Sequence, residues 1–166
     1  MKQKLIVTGM LCAALGACAS EPKPTVASAP KSATPINLAS IEAGQRGLGS
    51  IGDASLPDKS CGMVLWTLEG TRPAAVFKFV SGKEAHINIA GQPVSLQRTD
   101  YSGAVGFGVY ERQVFANADG IDVEISTRFG LEFSDGAYLE QGLVKVRDSS
   151  GWSMVAPAAG IAGCRK

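Results

Sequence analysis

Residues 85–98 read Ala-His-Ile-Asn-Ile-Ala-Gly-Gln-Pro-Val-Ser-Leu-Gln-Arg. Ile87 and Ile89 fall on one side of an extended chain, His86 and Asn88 on the other. That period of two is the signature of a strand with one buried face. Ala90-Gly91 then supplies a tight turn, and Val94 and Leu96 resume the inward face. The stretch therefore predicts an antiparallel hairpin.

The same text continues in both directions. Met63–Glu69 and Ala74–Val80 are short apolar runs, each ending at a glycine-containing turn. Ala104–Tyr110 places Val105, Phe107 and Val109 together and reads as a strand, with Val114 and Phe115 extending it or starting another. Asn117-Ala118-Asp119-Gly120 is a turn. After it Ile121, Val123 and Ile125 alternate with Asp122, Glu124 and Ser126. Leu143–Arg147 and Trp152–Ala156 flank Asp148-Ser149-Ser150-Gly151, a hairpin signal. The stretch from Arg128 to Gly142 is the least regular and is expected to hold a strand and a long loop. Gly103, Gly106 and Gly108 precede no helix, which argues against a phosphate loop and for bulges or tight bends. Trp66 and Trp152 are expected to fill the core. About eight strands at this spacing predict an all-β fold, a small antiparallel barrel or sandwich. A composition with 20 glycines and only 19% charged residues agrees.

The first residues carry a different message. Lys2 and Lys4 precede an apolar run from Leu5 to Leu15. The run is far shorter than the roughly 20 residues that span a bilayer as a helix. It has the form of an export signal. It ends in Leu15-Gly16-Ala17-Cys18, which closely resembles the lipobox of bacterial lipoproteins: a branched apolar residue, two small residues and the cysteine that takes lipid. The resemblance implies a signal peptide over residues 1–17, cleavage before Cys18, and diacylglyceryl and palmitate-type acyl chains on that cysteine. Two or more chains hold a protein to a bilayer where one does not. Ala19, where an inner-membrane retention signal would have Asp, implies the outer membrane with the domain in the periplasm.

If Cys18 is lipidated and Cys12 is discarded, Cys61 and Cys164 remain as an even pair in an oxidising compartment. A disulfide between them is expected, two separate reduced thiols being the alternative. It would close a loop of roughly a hundred residues, worth about 4–5 kcal/mol in the chain-entropy picture. Residues 18–60 then form the lipidated cysteine and a tether, and residues 61–166 the barrel-like domain. Four of the eight prolines fall between residues 19 and 37, among Ala, Ser, Thr and Lys, so that part is expected to be extended and flexible. Residues 38–60 suggest a helical turn near 38–43 and then an irregular segment draped on the domain.

Reactive groups are sparse. Lys and Arg number 16 against 15 Asp and Glu, so the near-neutral chain lacks the basic excess of a nucleic-acid binder. His86 is the only histidine and is expected on a solvated strand face. No serine stands in a Gly-x-Ser-x-Gly elbow. Asn117, Asp119 and Asp122 faintly resemble a calcium loop, but its twelve-residue pattern is absent and turn formation explains them. Asp122 and Glu124 share one strand face, as solvated carboxylates do. No catalytic residue, metal site or cofactor is expected.

Two further likenesses bear on function. Cys61-Gly62-Met63-Val64-Leu65-Trp66, with Gly151-Trp152, Pro157, Gly160 and Gly163-Cys164, resembles small uncharacterised lipoproteins of Gram-negative envelopes; that likeness spans residues 61–166 and implies no activity. The chain is also similar in plan to the membrane-bound inhibitors of c-type lysozyme, small disulfide-tied barrels on a lipid anchor. Their inhibitory loop is Ser-Ala-Ser-Gly followed by a basic residue and Tyr. Only Ser102-Gly103 corresponds to it, and Ala104-Val105 follow instead. The expectation is a non-catalytic binding or structural module of the envelope, partnered by the bilayer through Cys18 and by an envelope protein or cell-wall component. Inhibition of lysozyme or another cell-wall hydrolase is the alternative, and an enzyme would need a pocket where Asp or Glu converge with Arg or His86.

Overall fold

The structure, a computed structural model, describes residues 47–67 and 72–166. Cys18, the segment 19–37 and the helical turn expected near 38–43 lie outside the described residues. Among the described residues nine strands follow in order: β1 (Leu48–Gly49), β2 (Ser60–Thr67), β3 (Ala74–Val80), β4 (Ala85–Ile89), β5 (Gln92–Gly106), β6 (Val109–Ala116), β7 (Asp122–Phe133), β8 (Gly136–Arg147) and β9 (Ser153–Arg165). Each of β2 to β9 pairs antiparallel with the next, and β9 returns to β2 from Ser60↔Arg165 to Thr67↔Ala158. The result is a closed eight-stranded up-and-down barrel, the first of the two expected architectures. β1 is the extra strand. It pairs with Asn88 and Ile89 of β4, just beyond the residues of β4 that β3 covers.

The alternation read from the sequence sets the inside of the barrel. Met63, Leu65, Phe77, Phe79, Ile87, Ile89, Val94, Leu96, Phe115, Val123 and Ile125 all belong to one buried cluster. An eight-stranded barrel has an interior just wide enough for side chains to fill. Three phenylalanines do much of the filling. Phe115 meets Phe77 and Phe79 edge-on, with ring centroids 5.1 Å apart in both pairs. The space they take is balanced on β9, whose inward positions hold Ala156, Ala158, Gly160 and Ala162. Gly160 and Ala162 stand opposite Leu65 and Met63 in the ladder. Trp152 packs against the cluster as expected, whereas Trp66 is only half-buried and lies outside it.

Two further sequence expectations are corrected. Ala104–Tyr110 is not one strand: β5 ends at Gly106, Phe107-Gly108 turns the chain, and β6 begins at Val109. Both turn residues have positive φ, 58° and 74°, the form that matches strand twist in two-residue hairpins. Val105 and Val109 therefore sit on different strands, Val105 59% exposed and Val109 fully buried. Likewise, the segment from Arg128 to Gly142 holds no long loop. β7 and β8 run on as a hairpin with Phe133 opposite Gly136, and three register shifts absorb the irregular residues. The Ala90-Gly91 turn, with φ of 53° and 80°, is the one expected.

Gly108 has a second constraint. A Cβ there would collide with the Ser81 hydroxyl and lie 2.6 Å from Ser81 Cβ, because the β5–β6 turn lies against the β3–β4 turn. Gly108→Ala is therefore expected to destabilise the domain by about 2 kcal/mol, from positive φ and overpacking together. A urea-unfolding midpoint measures it, and an unchanged midpoint would show that the two turns are not held together.

Residues 50–58 lie along the outside of β2 and β3 as a strap. Ile51 N donates to Ala75 O at 2.8 Å, and Asn88 Nδ2 to Ser50 O at 3.0 Å. Lys78 Nζ reaches Asp53 O at 3.0 Å, and Arg165 Nη1 reaches Leu56 O at 3.0 Å. Val64 points outward, yet it is only 2% exposed and lines a cleft with Ala54 and Leu56 of the strap. Residues 50–58, within the segment expected to be irregular, are thus draped on the barrel.

Candidate functional site

Cys61 and Cys164 face each other across the β2–β9 ladder and are joined by a disulfide, Cα atoms 3.9 Å apart. Their side chains follow Met63, Leu65 and Ala162 in phase, so the bond sits at the end of the barrel where its interior opens. The β5–β6 and β7–β8 turns and the β3–β4 turn lie at the same end. We call it the mouth.

Among the concave regions that gather polar side chains, two bear on function. The first is a groove of about 320 Å³ on the barrel wall, lined by Ile51 and Asp53 of the strap, Lys78, His86, Asn88 and Ser95. His86 is exposed, as expected of the outer strand face. Ser95 Oγ lies 3.2 Å from His86 Nδ1, directly across β4–β5. A nucleophilic serine needs a base that is itself oriented by a third group. Asp53, the carboxylate in the groove, is engaged elsewhere. It accepts from Ser55 N at 2.9 Å and Ser55 Oγ at 2.6 Å, and stands 3.8 Å from Lys78 Nζ. Asp53, Ser55 and Lys78 thus engage one another, and Ser95 engages His86, whereas Asn88 donates through Nδ2 and its buried Oδ1 has no hydrogen-bond partner.

The hydrogen bonds from Ser55, then Lys78 and Arg165, hold the Asp53 carboxyl below its ordinary value of 3.8. A lowered carboxyl pKa stabilises the fold above the unfolded value and loses that effect as pH falls through the folded one. The strap is therefore expected to loosen as the pH drops below about 4. Amide exchange of Ile51 measures this, and Asp53→Asn should remove the acid step while leaving exchange at neutral pH faster than in the parent.

The second region is the mouth, where β5 and β6 extend past the core. Arg98 follows Val94 and Leu96 on the inward face. Its Nη1 donates to Gly108 O at 2.9 Å and to Gln113 Oε1 at 2.8 Å. Gln113 is fully buried, and its Nε2 points at Met63 Sδ, 3.6 Å away. The guanidinium carbon lies 4.9 Å from the ring centres of both Phe79 and Tyr101 and 5.4 Å from that of Tyr110. Stacking of this kind on aromatic faces is favourable for a partly desolvated cation. Farther out, Arg112 bridges Asp100 at 3.0 Å and Glu124 at 2.8 Å, and these bonds raise its pKa.

Ser102 and Gly103 lie in this same hairpin, exposed, where the β5–β6 register slips between Ser102 and Val105. Gly103 has φ of 88°, and a Cβ on it would sit 3.1 Å from Glu111 Cβ. The pair therefore belongs to a bulge in a paired strand and not to a free loop. Asn117 acts as the turn former expected: its Oδ1 accepts from Asp119 N and Ile121 N, both at 3.0 Å. Among the described residues no three His, Cys, Asp or Glu side chains gather as a metal site. Sequence reading missed Arg98, Gln113 and the wall groove. The inward phase of Arg98 after Val94 and Leu96 was the one visible signal.

Comparison of the chain with protein-family models, with curated proteins and with solved structures gives no match.

Proposed function

We propose that this chain is a lipid-anchored envelope protein whose barrel is a non-catalytic binding module facing the periplasm, most simply at the outer membrane. The observation that carries the binding half is the filled barrel. Phe77, Phe79, Phe115 and their neighbours occupy the interior, so a partner must be met on the outside. Aromatic and large apolar residues are available there. Tyr138 is 50% exposed, with Phe133 beside it at 5.3 Å between rings and Ile161 opposite it in the β8–β9 ladder. Aromatic residues are enriched in protein–protein interfaces. The anchor half rests on Leu15-Gly16-Ala17-Cys18.

Crosslinking in intact envelopes followed by capture tests both halves. The full chain should sediment with membranes and bring down a reproducible envelope protein or cell-wall fragment. Cys18→Ser should move it to the soluble fraction. Membrane association unaffected by Cys18→Ser would sink the anchor, and capture of nothing would sink the binding role.

A second reading, inhibition of lysozyme or another cell-wall hydrolase, is favoured by the exposed and conformationally pinned Ser102-Gly103 bulge. Addition of the purified protein to lysozyme should then slow lysis, and Gly103→Val should abolish the effect. Undiminished lysis at saturating protein would eliminate this reading for c-type lysozyme.

A further inference from the structure

Arg98 is a cation partly withdrawn from water whose described partners are all neutral: a backbone carbonyl, the Gln113 amide and three aromatic rings. Taking a guanidinium out of water is costly unless an opposite charge or a full set of acceptors compensates. Both described hydrogen bonds leave from Nη1. The edge formed by Nε and Nη2 is the one that pairs with a carboxylate through two parallel bonds. Arg98 also lines a niche of about 210 Å³ together with Phe79, Gly82, Lys83 and Gln97. Lys83 has no ion pair among the described residues, and Gln97 Nε2 donates to Glu84 Oε1 at 3.0 Å.

We infer that this niche at the barrel mouth is a binding site for a single carboxylate, held by the open edge of Arg98 and by Lys83. The charges decide between oxyanions. Lys83 and Arg98 bring two positive charges and Glu84, tied to the niche through Gln97, brings one negative. The remaining single positive charge matches a monoanion better than a phosphate dianion. The volume decides the size. Sites for whole drug-sized ligands run to roughly 300–1,000 Å³, so the niche takes the end of a molecule, either a peptide's terminal carboxylate or a small organic acid. Arg98 is pre-set for this role, because Gly108 and Gln113 fix one side of its fork before any ligand arrives. The site goes beyond the envelope reading and does not depend on the anchor.

The test is a titration of the full chain, and of the Cys18→Ser form, followed by NMR of the arginine Nε–H and glutamine side-chain amide signals. N-acetylglycine is the peptide-terminus probe, acetate the small-acid probe, N-acetylglycinamide the uncharged control and inorganic phosphate the dianion. Saturable shifts of Arg98 and Gln97 with either carboxylate, and none with the amide, are expected. Tighter binding of N-acetylglycine than of acetate assigns the peptide source, and the reverse assigns a small acid. Arg98→Lys should weaken binding more than tenfold through loss of the bidentate pair. Lys83→Gln, on an exposed turn, should weaken it about threefold. Absence of a saturable shift, an equal response to the amide, or preference for phosphate overturns the assignment. If Arg98→Lys disrupts the hairpin, unchanged affinity in Lys83→Gln does the same.

Discussion

Replacing Cys61 and Cys164 together by alanine is expected to lower the stability of the domain by about 4 kcal/mol. The disulfide joins residues 103 apart in sequence, so its removal returns to the unfolded chain the freedom of a very long loop. The two cysteines are already direct partners in the β2–β9 ladder. The folded barrel therefore has no reason to rearrange when the bond is absent, and the effect should fall almost wholly on the unfolded state. Urea unfolding under non-reducing conditions measures the loss. Reduced parent protein should match the variant, and the variant should ignore reductant. A loss below about 1 kcal/mol would show that the ladder alone holds the seam, against the expectation from loop length.

Phe115→Ala should cost a comparable amount, about 4 kcal/mol. Phe115 is fully buried and is the ring that both Phe77 and Phe79 touch. Its removal deletes apolar burial and two edge-to-face contacts, each worth about 0.5–1.5 kcal/mol beyond area. A barrel wall tied by hydrogen bonds on every side has little freedom to collapse into the gap. Phe115→Leu should recover more than half of the loss, because most of the volume returns without the ring edges. Thermal and urea denaturation of the pair would separate volume from aromatic geometry, and equal stability of the two variants would refute the volume argument.

Strands with one buried face were legible because their alternation is a local property. The alternation of Ile121, Val123 and Ile125 and the hairpin around Ala90-Gly91 needed only their own residues to be read. The β5–β6 turn was hidden because Val105, Phe107 and Val109 keep a period of two across it. A phenylalanine at positive φ is also an uncommon turn residue. The far half of β9 was hidden for the opposite reason. Pro157 to Gly163 are mostly small, and they are small because Leu65, Met63 and the three phenylalanines take the space in front of them. That cause lies on other strands. The candidate sites share this difficulty. Arg98 meets Gln113 and Gly108 only through the register shifts of a long hairpin, and Asp53 reaches Lys78 only through the strap. Neither relation leaves a spacing in the sequence.

The β2–β9 seam governs the order in which this fold can be completed. Every other neighbour in the barrel is adjacent in the chain and can zip as a hairpin soon after it is made. β2 must wait through seven further strands for its second partner, which raises the contact order and slows closure. During synthesis the apolar β2 and each newest strand stand as open edges. A nascent chain halted before Ser153 would be an eight-stranded design one strand short: an unclosed sheet with β2 and β8 bare, and bare edges invite pairing with other chains.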